Sequence, residues 1–242
     1  MGKKNFRMPD DAELVRLASA SCESAESKLK AAKLLLEGDQ WPEAFATAAL
    51  GFEEMGKAYL CLTVVGIPVQ FRDDLPPKQF AALFSGHTAK AQFAHLVLQF
   101  LVDDDAPVVV TDLLARAEAA AERTNETKFR GLYVDLGPDG ILLHPKDVSE
   151  ADARWMVDRL RQLLSWAPMS AGLGGDPDFL SFVSQYRDNL DVVGIAAAID
   201  SDPSAWANEL RAAIHGKGPA PVWLASALPE AWLPTDDEKP PM

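Results

Sequence analysis

Three short groups of polar side chains interrupt otherwise apolar parts of this sequence. Histidine can transfer protons near neutral pH, lysine and arginine bind phosphate oxygens, and carboxylates orient cations. These residue types together suit a site that binds a phosphate-containing molecule and moves protons on it. In chain order, the groups are Glu53, Glu54 and Lys57; His87 and Lys90; and Lys128, Arg130, Tyr133 and Asp135.

The first group lies inside an almost continuously apolar stretch, Trp41 to Val65. Helical spacing puts Glu53 and Lys57 on one side of a helix that is apolar nearly all round. Such a helix is normally buried, and buried charges are paired or have a function. Two interpretations stay open: a purely structural Glu53–Lys57 ion pair within the helix, or one wall of a polar site.

The second and third groups also have two interpretations each. His87 and Lys90 are three residues apart on one helical face, where a histidine is often only hydrogen-bonded. Lys128 and Arg130 can complement the dipole at a helix end and be followed by a packed Tyr133. Alternatively, the two cations form a phosphate-sized anion site, in which Arg130 is a forked donor and Lys128 a point charge.

The elements that must position these groups are helices, and we predict an all-α protein. Short connections between long helices favour an antiparallel four-helix bundle. The predicted helices are 11–37, 41–65 with Asp39 as its cap, one long helix containing 81–104 with Phe84, Phe93, Leu96, Val97, Phe100 and Leu101 buried, and 109–130. A small hairpin or ordered loop is expected near 132–144, followed by a fifth helix that Ser149 and Asp152 cap.

Proline- and glycine-rich stretches divide the chain. We expect a helical bundle over residues 10–168, a linker over 169–178, a C-terminal helical extension over 179–215 and a proline-rich acidic tail over 216–242. Asp176-Pro177 and Asp202-Pro203 should each start a helix in the extension.

Composition limits the possible classes of function. The 242 residues carry a formal net charge of −13, which argues against broad electrostatic wrapping of nucleic acid but allows a small basic site. The spacing of Cys22 and Cys61 does not match a metal-binding motif. We expect both to be small core residues of a reduced, cytoplasmic protein. The N-terminal charges precede no apolar run, so we expect no signal peptide. Three charges in the middle of the stretch Trp41 to Val65 argue against membrane insertion.

The ordered set of motifs resembles a known family. Glu-Glu-Met-Gly-Lys in a buried helix, His-x-x-Lys in the next, and Lys-x-Arg-Gly-Leu-Tyr-Val-Asp after the fourth are similar to the AbiV family of bacterial abortive-infection proteins. That family is grouped with the HEPN superfamily of helical bundles (higher eukaryotes and prokaryotes nucleotide-binding). The resemblance covers about residues 10–168.

The resemblance implies a HEPN-like bundle in antiphage defence, where many superfamily members are metal-independent ribonucleases and dimers. It implies His87, Arg130 and Tyr133 as catalytic residues, and a homodimer without metal or cofactor. It further implies that the effector acts on RNA to stop translation, with a phage protein as a possible trigger. The phosphate-binding residues would be Lys57, Lys90 and Lys128. The residues that orient the site would be Glu53, Glu54 and Asp135.

The sequence also departs from the HEPN pattern of an arginine followed a few residues later by histidine. No histidine follows Arg130 at that distance, since the next one is His144, and Arg211 and His215 are one step closer than usual. An alternative is therefore a non-catalytic sensor that binds a nucleotide or a protein partner. A third possibility is a helical interaction protein whose charges are only buried pairs.

Overall fold

The computed structural model describes residues 8–68, 77–101, 106–137, 140–166 and 177–218. Nine α-helices and one two-stranded hairpin account for most of these residues, so the predicted all-α class is confirmed. The helices are α1 (Asp11–Glu37), α2 (Trp41–Gly66), α3 (Pro77–Ser85), α4 (His87–Leu101), α5 (Val110–Leu132), α6 (Glu150–Ser165), α7 (Pro177–Asp188), α8 (Val192–Ser201) and α9 (Pro203–Ile214).

Helix α2 is the centre of the core. It packs against α1, α4, α5 and α6, and buries most of its aromatic and alanine side chains. Three residues connect α1 to α2, so the chain reverses direction and the two helices pack along each other. The fifth predicted helix, α6, belongs to the same bundle because Met156, Leu160 and Leu163 are fully buried in the shared core.

The ends of the first helices follow from local sequence, with one correction. A capping box between Asp10 and Glu13 begins α1, and another between Ser149 and Asp152 begins α6 as predicted. The prediction that Asp39 caps α2 is wrong. Gln40 occupies the N-cap without a side-chain hydrogen bond, while Asp39 has a φ of 57° in the connection.

The predicted long third helix is interrupted. It divides at Gly86 into α3 and α4, because neither serine nor glycine favours a helix interior. The predicted buried side needs correction. The buried residues of α4 are Lys90, Ala91, Ala94, His95 and Leu98, whereas the large apolar residues predicted to be buried are only partly covered.

The hairpin is shorter than predicted because α5 continues through Leu132. Strand β1 (Asp135–Leu136) pairs antiparallel with β2 (Leu142–Leu143), and a turn of 3₁₀ helix, Pro145–Asp147, leads to α6.

The C-terminal helices pack on the bundle. Leu180 and Val183 of α7 contact the main core, and Arg187 pairs with Asp11 of α1 at 2.6 Å. Helix α9 contacts α4 and α5. The predicted helix starts at Pro177 and Pro203 agree with the structure, but the segment between them forms two helices, α7 and α8, rather than one. The predicted linker lies almost entirely outside the described residues, as does the tail after residue 218.

Both cysteines are free, buried side chains of the described core. Burial raises the pKa of the Cys22 thiol to about 11 and that of Cys61 to about 12, so both are protonated at neutral pH. Among the helices of the described residues, none combines the length and the apolar character needed to cross a membrane.

Candidate functional site

Glu53 of α2 is the centre of a buried polar cluster. Its side chain is 3% exposed, and its Oε2 lies 2.6 Å from Nδ1 of His87. Its Oε1 accepts a hydrogen bond from the ammonium of Lys128, and Nζ of Lys90 lies 3.9 Å from Oε2. We call Glu53, His87, Lys90 and Lys128 the Glu53 cluster. The three polar groups of the sequence thus each contribute at least one residue to a single place in the fold.

A close helix crossing makes this cluster possible. A Cβ atom on Gly56 would lie 2.0 Å from the carbonyl oxygen of Lys90, so only glycine lets the backbones of α2 and α4 approach this closely. Glu53 lies one helical turn before Gly56 and therefore faces the start of α4, where His87 is the first residue. The glycine within the Glu-Glu-Met-Gly-Lys motif thus has a packing role.

The chemistry of the Glu53–His87 contact fixes the orientation of the imidazole. An ionised carboxylate only accepts hydrogen bonds, so Nδ1 of His87 is the donor. The second ring nitrogen, Nε2, lies on the far side of the ring, and 53% of the histidine side chain is exposed. A neutral His87 held this way presents the lone pair of Nε2 outward, which is the arrangement that a general base requires.

Lys128 lies near the C-terminal end of α5 with 1% of its surface exposed. Its ammonium lies 4.8 Å from the centre of the Phe129 ring as well as against Glu53. The predicted role of Lys128 as a phosphate ligand does not fit this burial. Its position instead suits neutralising and holding Glu53, because a buried carboxylate needs an opposite charge.

The other charges of the first group form their own pair. Lys57 pairs with Glu54 at 2.5 Å, and both side chains are about one-fifth exposed. The expected pair of Glu53 with Lys57 is therefore wrong, since Glu53 is taken up by partners from α4 and α5. Glu54 was also predicted to orient the site. It does not hold His87, because the ion-pair partner of Glu54 is Lys57.

Arg130, Tyr133 and Asp135 line a different space. They border a cavity of about 490 Å³ together with Asn125, Glu126, Phe129, Gly137 and Leu143, and we call it the Arg130 cavity. None of the four residues of the Glu53 cluster lines it. Residues two positions apart on a helix point about 200° away from each other, so Arg130 projects away from the side of α5 that carries Lys128.

Two residues that line the Arg130 cavity have buried polar atoms without a partner. Within the described part of the chain, Nε of Arg130 and Oδ1 of Asn125 are both buried and make no hydrogen bond. The rings of Phe129 and Tyr133 are stacked with centroids 6.3 Å apart. Asn125 and Phe129 were not predicted as site residues, although Asn125, Phe129 and Tyr133 follow one another at intervals of four, which places them on one side of the helix end.

Sequence reasoning also missed a buried histidine. His95 is 1% exposed, and its Nε2 lies 2.9 Å from Oγ1 of Thr124. The centroid of its ring lies 4.6 Å from the ring centroid of Phe52 and 6.0 Å from that of Trp155. Burial, together with the nearby positive charge of Arg159, lowers the pKa of His95 to about 4. His95 is therefore neutral at pH 7 and belongs to the core.

The remaining histidines do not complete an arginine–histidine site. Nδ1 of His144 accepts a hydrogen bond from the backbone of Lys146 and caps the 3₁₀ turn. Arg211 donates to the carbonyl of Ala106, whereas the ring of His215 packs edge-on against Trp166 at 5.4 Å. The suggested Arg211–His215 site is therefore not assembled, because the two side chains have different neighbours.

The described residues hold no group of three or more histidine, cysteine, aspartate and glutamate side chains arranged to bind a metal ion.

A family model, that of the HEPN-type AbiV family, matches residues 13–165. The protein belongs to the AbiV family. The match includes the whole Glu53 cluster and the Arg130 cavity, and the family membership that the sequence motifs suggested is confirmed. No curated protein and no solved structure matches the chain.

Proposed function

We propose that this AbiV-family protein is an antiphage abortive-infection effector that acts on RNA and shuts down translation through a metal-independent site. Family membership supports the general role, and the contact between Glu53 and His87 is the observation that carries the chemistry. A half-exposed imidazole anchored by a buried carboxylate is a suitable acid–base group.

In the proposed reaction, His87 accepts the proton of a ribose 2′-hydroxyl through Nε2. The 2′-oxygen attacks the adjacent phosphorus, and the bond to the 5′-oxygen of the next nucleotide breaks. The products are a 2′,3′-cyclic phosphate and a 5′-hydroxyl end after the departing oxygen gains a proton. The partly exposed Lys57 is the proposed cation for the negative charge that develops on phosphorus. Lys90, on the same helix turn as His87 and 10% exposed, is proposed to add to the positive charge from beside Glu53.

The test is an RNA cleavage assay with purified protein in the presence of a metal chelator. Transfer RNA, ribosomal RNA and messenger RNA are each incubated with the wild type, with His87→Ala and with His144→Ala. We expect His87→Ala to lose roughly 10²–10⁴-fold in rate, the usual contribution of a general acid–base residue. The His144→Ala control should cleave like the wild type, because His144 lies outside the Glu53 cluster. If clean wild-type protein leaves all three RNA classes intact, the ribonuclease proposal is wrong.

A second candidate function is a non-catalytic nucleotide-binding sensor. The Arg130 cavity favours it, because a guanidinium, an amide and two aromatic rings line it, and these groups suit a phosphate and a base. A volume of about 490 Å³ is in the range of small-molecule sites.

Thermal-shift measurements with nucleotides test the sensor directly. We expect a saturable stabilisation of the wild type that Arg130→Gln removes. Arg123→Gln is the matched control, because Arg123 lies on the same helix but pairs with Asp152 at 3.3 Å. Nucleotide stabilisation without any RNA turnover would favour the sensor over the ribonuclease.

A further inference from the structure

A second cavity collects three arginines from three helices. Arg116 of α5, Arg159 of α6 and Arg211 of α9 line a space of about 210 Å³, together with Gln99 of α4, residues 106–108 and Leu113. We call it the triple-arginine cavity. No acidic side chain lines it among the residues that the structure describes. This concentration of positive charge contrasts with a chain whose formal net charge is −13.

The three arginines of this cavity lack the carboxylate partners that most other described arginines have. Four other arginines, Arg123, Arg154, Arg161 and Arg187, each have a carboxylate partner. Arg116, Arg159 and Arg211 form no ion pair with another described residue, and within that part of the chain Arg211 donates to the backbone carbonyl of Ala106. Among the described residues, all three guanidinium groups thus have N–H donors without a carboxylate partner.

Arg159 is the central group of this arrangement. It is partly buried, and the loss of hydration lowers the pKa of its guanidinium. Its guanidinium carbon lies 5.3 Å from the centre of the Trp155 ring, a contact that fixes the orientation of the planar group. A partly desolvated guanidinium in a fixed position binds an oxyanion more strongly than a freely hydrated one, because less solvation and less side-chain entropy are lost on binding.

From this geometry we propose that the triple-arginine cavity binds the phosphate group of a small phosphorylated ligand. Forked guanidinium donors match the oxygens of a phosphate, and the amide of Gln99 can add a further donor. The site is separate from the Glu53 cluster and from the Arg130 cavity, since the three sets of residues do not overlap. Arg211 lies beyond the residues that match the AbiV family, so the complete set of arginines includes the C-terminal extension of this chain.

Calorimetric titration of the full-length protein tests the proposal with three probes: inorganic phosphate, adenosine 5′-monophosphate and adenosine. Ionic strength is held constant with sodium chloride, so that general screening does not imitate binding. The expected result is saturable binding of phosphate and of the monophosphate but not of adenosine. Tighter binding of the monophosphate than of phosphate would identify a nucleotide as the source of the group, and equal affinity would identify free phosphate.

Four variants locate the binding. We expect Arg159→Gln and Arg116→Gln each to weaken binding by roughly tenfold or more, the typical effect of removing a hydrogen bond to a charged group. Arg161→Gln on the same helix as Arg159 is the control for charge, because its side chain is 59% exposed and pairs with Asp158. Arg161→Gln should bind phosphate like the wild type. Arg130→Gln reports on the other cavity, because any binding that this variant alone removes belongs to the Arg130 cavity.

Arg116 is exposed, so its variant should fold even if the loss of the partly buried Arg159 disturbs packing. Circular dichroism on each variant identifies any that fails to fold. The proposal is overturned if phosphate and the monophosphate give no saturable binding. It is equally overturned if Arg116→Gln binds as tightly as Arg161→Gln, or if only Arg130→Gln abolishes binding. None of these outcomes depends on whether the protein cleaves RNA.

Discussion

The carboxylate of Glu53 holds the imidazole of His87 from inside the helical bundle. The two side chains meet at 2.6 Å, yet the carboxylate is 3% exposed and the imidazole 53% exposed. The contact therefore connects a buried charge of α2 with a group at the protein surface at the start of α4. It gives the histidine a fixed orientation, which an exposed side chain would otherwise lose to rotamer freedom.

The role of Glu53 in activity can be separated from its role in stability. We expect Glu53→Gln to slow RNA cleavage, because the amide does not stabilise a protonated His87 during proton transfer. The matched control is Glu54→Gln, which removes the neighbouring carboxylate that pairs with Lys57. Cleavage rates and antiphage protection are measured at a temperature where both variants are folded. Loss of stability with unchanged cleavage and protection would assign the Glu53 cluster a purely structural role.

Lys128 should be the most costly member of the Glu53 cluster to remove. We expect Lys128→Met to lower the free energy of unfolding by about 3–5 kcal/mol, since it leaves a buried carboxylate without its closest cation. Urea denaturation measures this change, and Lys57→Met, which breaks only the partly exposed pair with Glu54, should cost about 1 kcal/mol or less.

The double variant Glu53→Gln/Lys128→Met should regain part of the stability that Lys128→Met loses, because the unpaired charge is then absent. Equal destabilisation by Lys128→Met and Lys57→Met would contradict the idea that Lys128 neutralises Glu53.

Gly56 should tolerate no side chain. An alanine Cβ would lie 2.0 Å from a backbone oxygen of Lys90, so α2 and α4 would have to separate. We expect Gly56→Ala to destabilise the protein by about 1–3 kcal/mol or more and to weaken the Glu53–His87 contact. Gly66→Ala is the control, because a Cβ there would meet nothing within 4 Å. Thermal unfolding compares the two, and a similar melting temperature for both variants would contradict the close crossing.

Acid should lower the free energy of unfolding through protonation of His95. Its pKa in the folded state, about 4, is lower than the ordinary value of 6.5, so the unfolded chain binds the proton more readily. This stabilisation is present above pH 6.5 and is lost as the pH falls towards 4, by about 2 kcal/mol between pH 7 and pH 5.

We expect His95→Gln to be less stable than the wild type at pH 7, but to lose less stability on acidification. Urea denaturation of both proteins across this pH range gives the difference between the two slopes, which removes the shared contribution of titrating carboxylates. Parallel curves for the two proteins would show that His95 is not the titrating group.

Periodicity and capping in the sequence determined much of the fold. The apolar length of Trp41 to Val65 required a buried helix, and the Asp10 and Ser149 boxes located two helix starts. Local rules were insufficient where two elements meet. The large apolar residues of α4 face partly outward, because the side of α4 that meets Gly56 carries Lys90 and Ala94, which allow a close approach. Helical spacing alone cannot indicate how close a neighbouring helix lies.

The residue types and their order also identified the candidate site, including Glu53, His87 and Lys128, before any contact was known. Only the tertiary structure decided their partners. Sequence spacing paired Glu53 with Lys57, whereas the fold pairs it with residues 34 and 75 positions away. It also placed Arg130 in a separate cavity from Lys128, although the two are neighbours in sequence. The physical reason is that a buried charge takes its partners from whichever helices pack against it, and sequence proximity on one helix does not determine that packing.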